Sequence, residues 1–141
     1  AGIWPVRPLL NMKRVLIVEN NEDIRGYLAL VASKAGYSSV SATTFHEAEG
    51  LRQDPPFAFT FVSDTACGQD FPQAIQSMVK GSGGGQVVVI CHENYEAVSA
   101  AATASGAAAC LTTPFELVFV ADILCDANEA LDLENSAMVE G

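Results

Sequence analysis

Val15, Leu16, Ile17 and Val18 run without a polar interruption and stop at once at Glu19, Asn20 and Asn21. A strand with one wet face alternates polar and apolar residues, so an unbroken run like this one belongs at the centre of a sheet covered on both sides. The same design returns in FAFTFV (57–62), which stops at Ser63 and Asp64, and in QVVVI (86–90), which stops at Cys91, His92 and Glu93. Helical signals fill the gaps. Asn21 reads as an N-cap with Glu22 and Asp23 in the first turn, Ile24, Leu28, Val31 and Ala35 keep helical spacing, and Gly36 supplies the stop. Residues 37–42 read as a strand near a sheet edge. Thr43 or Thr44 caps a helix over about 45–52 that Pro55 and Pro56 end. A loop with Cys67, Gly68 and Pro72 leads to a third helix through Ile75, Met78 and Val79, and KGSGGG (80–85) reads as a flexible link. An Ala-rich helix over about 94–104, a small-residue strand over 108–111 and a last helix from about 115 to 130 complete the pattern. Five strands alternating with five helices predict an α/β fold with a doubly wound parallel sheet. In such sheets ligands bind at the carboxyl ends of the strands, so Glu19 and Asn20 mark the floor of any functional pocket.

The 141 residues suit one domain, able to bury about 68–70% of its unfolded surface. A formal charge of −10 repels nucleic acid and anionic lipid, so no direct nucleic-acid or membrane partner is expected. Cys67, Cys91, Cys110 and Cys125 match neither zinc-site spacing nor a small disulfide framework; free thiols in a reducing, cytoplasmic compartment are the expectation. Residues 1–12 read as a tag remnant or unstructured leader, 13–135 as the domain and 136–141 as a tail.

Four stretches resemble the receiver domain of two-component response regulators: RVLIVENNEDIRGYLALVASKAGY, FAFTFVSD, QVVVI and SGAAACLTTPF. The resemblance covers residues 13 to about 130 and implies a flavodoxin-like (βα)5 fold with strand order 2-1-3-4-5. It also implies a chemistry. Receivers form an acyl phosphate on an Asp at the end of the third strand, with Mg²⁺ held by an acidic pair after the first strand, a Lys offsetting phosphoryl charge and a Thr or Ser hydroxyl binding a phosphoryl oxygen. Matched position by position, the acidic pair becomes Glu19 and Asn20, the acceptor Ser63, the hydroxyl Cys91, the Lys Thr113 and the aromatic switch position Cys110.

These replacements predict a degenerate receiver, or pseudo-receiver, that is not an enzyme, takes no cofactor, binds Mg²⁺ weakly or not at all, and acts as a protein interaction or dimerisation module. Two alternatives stand beside it: an atypical phosphoacceptor using Asp64, which otherwise reads as a solvated or loop-capping acid, and a redox-sensing thiol at Cys91. Adjacent residues on an extended segment point apart, which sets His92 off from Cys91. The last helix carries more apolar residues than one sheet contact needs. With the preceding helix and strand it forms the usual partner face of receivers, which places a candidate interface, homodimeric or with another protein, at Tyr95, Val98, Cys110, Leu117, Val118 and Val120.

Overall fold

The computed structural model describes residues 13–51, 57–82 and 85–127. Five strands among them form one parallel sheet in the order β2-β1-β3-β4-β5: β1 Arg14–Val18, β2 Ser38–Ala42, β3 Phe59–Ser63, β4 Gln86–Cys91 and β5 Ala109–Thr112. The helices are α1 Glu22–Lys34, α2 Phe45–Glu49, α3 Phe71–Lys80, α4 Tyr95–Ala104 and α5 over 119–127, the last entered through a 3₁₀ turn at Phe115–Val118. The leader, Trp4, Pro55, Pro56 and the tail lie outside the described residues.

The unbroken apolar runs are explained by two cores, one on each face. Side chains alternate along a strand, so Val15, Ile17, Phe59, Phe61, Val88, Ile90 and Leu111 pack with Leu28, Val120 and Leu124 from α1 and α5. Leu16, Val18, Val62, Val87 and Val89 turn the other way, onto Ala48, Ile75, Met78 and Ala102 of α2, α3 and α4. Tyr37 joins the first core edge-on to Phe59, and its hydroxyl donates to the Leu124 carbonyl at 3.3 Å, tying the start of β2 to α5.

Local signals act where the residue types require. Asn21 caps α1 by accepting from the Ile24 amide at 3.0 Å, Thr44 caps α2 by accepting from Glu47, and Gly36 leaves α1 at a φ of 90°. Three expectations need correction. The loop after β3 is a helical turn, Asp64–Cys67, and a 3₁₀ turn, Gly68–Asp70; Pro72 then stands inside the first turn of α3, where its missing N–H costs nothing. Gly85, the last glycine of the expected flexible link, is in close contact, since a Cβ there would run into the Phe57 carbonyl oxygen; residues 83 and 84 lie outside the described residues. Leu117 and Val120 are buried in the first core rather than presented to a partner. Helical spacing instead exposes Phe115, Val118 and Phe119.

Candidate functional site

The carboxyl ends of β1, β3, β4 and β5 bring Glu19, Asn20, Ser63, Asp64, Cys91, His92 and Thr113 to one edge of the sheet. Strand alternation divides them. Glu19, Ser63, His92 and Thr113 continue the parity of the α1/α5 core, whereas Asp64 and Cys91 continue that of the α2–α4 core.

On the first side Glu19 is fully buried. Its Oε1 accepts from the Asn21 amide at 3.3 Å and lies 2.7 Å from His92 Nε2; its Oε2 is buried without a hydrogen-bond partner among the described residues. The Glu19 peptide is held from both sides, its N–H donated to Ala42 O at 3.0 Å and its carbonyl accepting from the Arg25 guanidinium at 2.9 Å. The other His92 nitrogen, Nδ1, sits 3.0 Å from the Thr113 hydroxyl. Nε2–H thus donates to the carboxylate, and Nδ1 accepts from or donates to Thr113 according to its protonation. The imidazole bridges β1 and β5 across the pocket floor.

Beside it, Thr65 donates to Asn20 Oδ1 at 2.7 Å, and its hydroxyl lies 3.4 Å from that of Ser63. Ser63 is fully buried and accepts from the Ala66 amide at 3.2 Å, capping the helical turn that follows β3.

On the second side Asp64 is buried, not solvated. Its two oxygens accept the backbone N–H groups of His92 and Glu93 at 2.9 and 3.2 Å, so it does cap a loop, the one between β4 and α4. Cys91 donates its thiol to the Glu93 carbonyl at 3.1 Å and stands 4.0 Å from Asp64. Burial, then the Asp64 charge, push its pKa up, which keeps the sulfur protonated and a poor nucleophile. Cys67 and Cys110 are pushed up to about 12, both by burial first, then Cys67 by the Asp64 charge and Cys110 by Cys91 and after it Asp64. A half-exposed cleft of about 300 Å³ opens beyond Asp64, lined by Thr65, Phe71, Glu93, Asn94 and Val98.

The structure places every predicted pocket residue at one edge of the sheet, where His92 links Glu19 to Thr113, Thr65 links Asn20 to Ser63, and Asp64 meets Cys91. It does not bring Cys110 into hydrogen-bonding contact with them; that side chain packs against the second core. Sequence reading missed His92, Thr65 and Glu116, whose carboxylate accepts from both the amide and hydroxyl of Thr112 at 2.8 and 2.9 Å. For His92 the signal was present: the alternation that separates it from Cys91 is the alternation that aims it at Glu19.

Structural comparison gives this arrangement its context. A CheY-like response regulator receiver domain protein from Methanospirillum hungatei superposes with a TM-score of 0.70 at 19% identity, over 89% of this chain and 98% of that one. The NtrC4 receiver domain dimer, in its beryllofluoride-activated solution structure, gives a TM-score of 0.71 at 26% identity, over 85% and 99%. This chain has the response regulator receiver fold. The fold by itself leaves activity open, since the structure of the adenylate cyclase from Rhodopirellula baltica also matches, with a TM-score of 0.70 at 16% identity over 89% and 93%. No protein-family model and no curated protein sequence matches the chain. Within the receiver fold, Glu19 and Ser63 stand at the switch point between β1 and β3. Among the described residues no helix is long and apolar enough to cross a membrane.

Proposed function

We propose that this chain is a pseudo-receiver: a non-enzymatic signalling domain that keeps the receiver scaffold, does not take a phosphoryl group by the Asp/Mg²⁺ route, and works through protein contacts. The observation that carries this reading is the Glu19–His92–Thr113 chain of hydrogen bonds, which engages the acid after β1 from within the chain. A receiver needs there an open pair of carboxylates for the metal and a Lys for the phosphoryl charge. Here one carboxylate oxygen is occupied by an imidazole and an amide, and the second acid is the Asn20 amide, engaged by Thr65. The Lys position is a hydroxyl. This donor set does not fit Mg²⁺, which demands near-ideal octahedral oxygen ligation. Among the described residues no three His, Cys, Asp or Glu side chains gather around a common point.

The two alternatives fare worse on the same geometry. Asp64 has both oxygens tied to backbone N–H groups, an arrangement that stabilises the carboxylate and lowers its readiness to attack phosphorus. Glu19 is engaged by His92 and Asn21 instead, so each acid has its own partners within the chain. Cys91 is buried and held as a thiol. The output of the domain is then a surface in a fixed or partner-selected conformation.

Amide NMR spectra of the labelled chain test this reading. Adding Mg²⁺ with beryllofluoride leaves the amides of 63–66 and 91–94 unmoved. Saturable shifts of those amides would show an intact phosphoryl site.

A further inference from the structure

Phe115 is 85% exposed, Val118 60% and Phe119 47%, at spacings of three and four that put them on one side of the helical segment leading into α5. Tyr95, 46% exposed, opens α4 next to it: Tyr95 follows the carboxyl end of β4 and Phe115 that of the neighbouring strand β5. Large apolar side chains grouped in this way mark an interaction site more often than an inert surface.

What distinguishes this face is its charge. All seven Lys and Arg of the chain lie at or before Lys80, while nine of its seventeen acids follow that residue. The segments that carry the apolar cluster therefore hold acids and no Lys or Arg: Asp122 and Asp126 are exposed on α5, and Glu93 and Glu96 at the start of α4. A second copy related by a two-fold axis would set this acidic rim against itself, since such an interface joins the same patch on both subunits. Like charges juxtaposed across an interface cost several kcal/mol.

We propose that this face docks a basic amphipathic helix of another protein, its apolar stripe on Phe115, Val118 and Phe119 and its Lys or Arg residues on Asp122, Asp126 and Glu96. The inference rests on the pseudo-receiver reading only for the use of this face, and it replaces self-association by a partner of opposite charge. Helix-in-groove recognition uses apolar anchors at i, i+3, i+4 and i+7, the spacing that the exposed cluster offers in complement. Opposite charge adds rate and specificity.

The test uses two synthetic helical peptides with identical leucine stripes, one with lysines and one with glutamates at all other positions, titrated against the full chain. The lysine peptide binds, and the glutamate peptide binds at least about tenfold more weakly, the factor that 1.4 kcal/mol represents. Phe115→Ser with Phe119→Ser weakens the lysine peptide at least about tenfold, and Asp122→Lys with Asp126→Lys weakens it without altering any apolar contact. Both pairs of substitutions are on exposed positions, and circular dichroism confirms that the variants keep the fold. Failure to bind the lysine peptide, or binding indifferent to the Phe substitutions, overturns the proposal. So does a dimer of the chain alone, seen by sedimentation and lost in the Phe variant, which would make the occupant a second copy. A parallel titration after treatment with a small phosphodonor and Mg²⁺ separates the two readings: binding that appears only then contradicts the pseudo-receiver function, while binding absent in both contradicts the docking chemistry alone.

Discussion

At the residue scale the decisive side chain is His92. Glu19 is buried with one oxygen unpartnered, and a buried carboxylate without compensation is expensive. The imidazole supplies its strongest contact, an ion pair when protonated and an N–H···O bond when neutral. His92→Ala is therefore expected to lower stability by about 2–4 kcal/mol in urea unfolding, because it strands the buried acid. In His92→Ala combined with Glu19→Gln much of that loss returns; a double variant as unstable as the sum of the two single ones would argue against the pairing. The thiols give a pH prediction at the same scale. Cys67 and Cys110 have folded pKa values of about 12, raised from the ordinary 9.0, so folding holds them neutral. Their contribution is complete below pH 9 and is lost as pH rises from 9 toward 12, where the unfolded chain gains by ionising. Unfolding midpoints should fall over that range, and less steeply in a Cys67→Ala, Cys110→Ala variant.

At the element scale, strand alternation explains both what the sequence disclosed and what it hid. The uninterrupted runs at β1, β3 and β4 revealed buried central strands, and Asn21, Thr44 and Gly36 marked helix ends with side chains suited to those tasks. The placement of Leu117 and Val120 was not legible, because the segment starts as a 3₁₀ turn and only then becomes α5; a change of helical pitch rotates the face that periodicity assigns. The difference is measurable. Leu117→Ala should cost about 2–5 kcal/mol as a core truncation, while Phe119→Ser should change stability by less than about 0.5 kcal/mol. Comparable losses in both would restore Leu117 to the surface. The entry to β4 makes a separate prediction: Gly85→Ala forces a methyl group against the Phe57 carbonyl and should destabilise by about 1–3 kcal/mol.

At the scale of the whole molecule, the proposed pseudo-receiver function separates the scaffold of a receiver from its chemistry. The scaffold rests on two cores and a five-stranded sheet, and of the replaced positions Cys110 packs against one of them. The candidate site rests on a few side chains at the strand ends, and on the proposed reading the hydrogen bonds among them stand where a metal and a phosphoryl group would bind. The positions of these residues could be read from the sequence by resemblance. Their linkage into separate sets, Glu19 with His92 and Thr113 apart from Asp64 with Cys91, required the register of four strands at once.

Intact-mass spectrometry after incubation with a small phosphodonor and Mg²⁺, on the wild type and on Asp64→Ala, tests this separation most directly. Neither protein should carry a phosphoryl adduct. An adduct on the wild type that disappears in Asp64→Ala would make Asp64 the acceptor and this chain a working receiver; one that persists in the variant would place the phosphoryl group elsewhere and contradict the account equally.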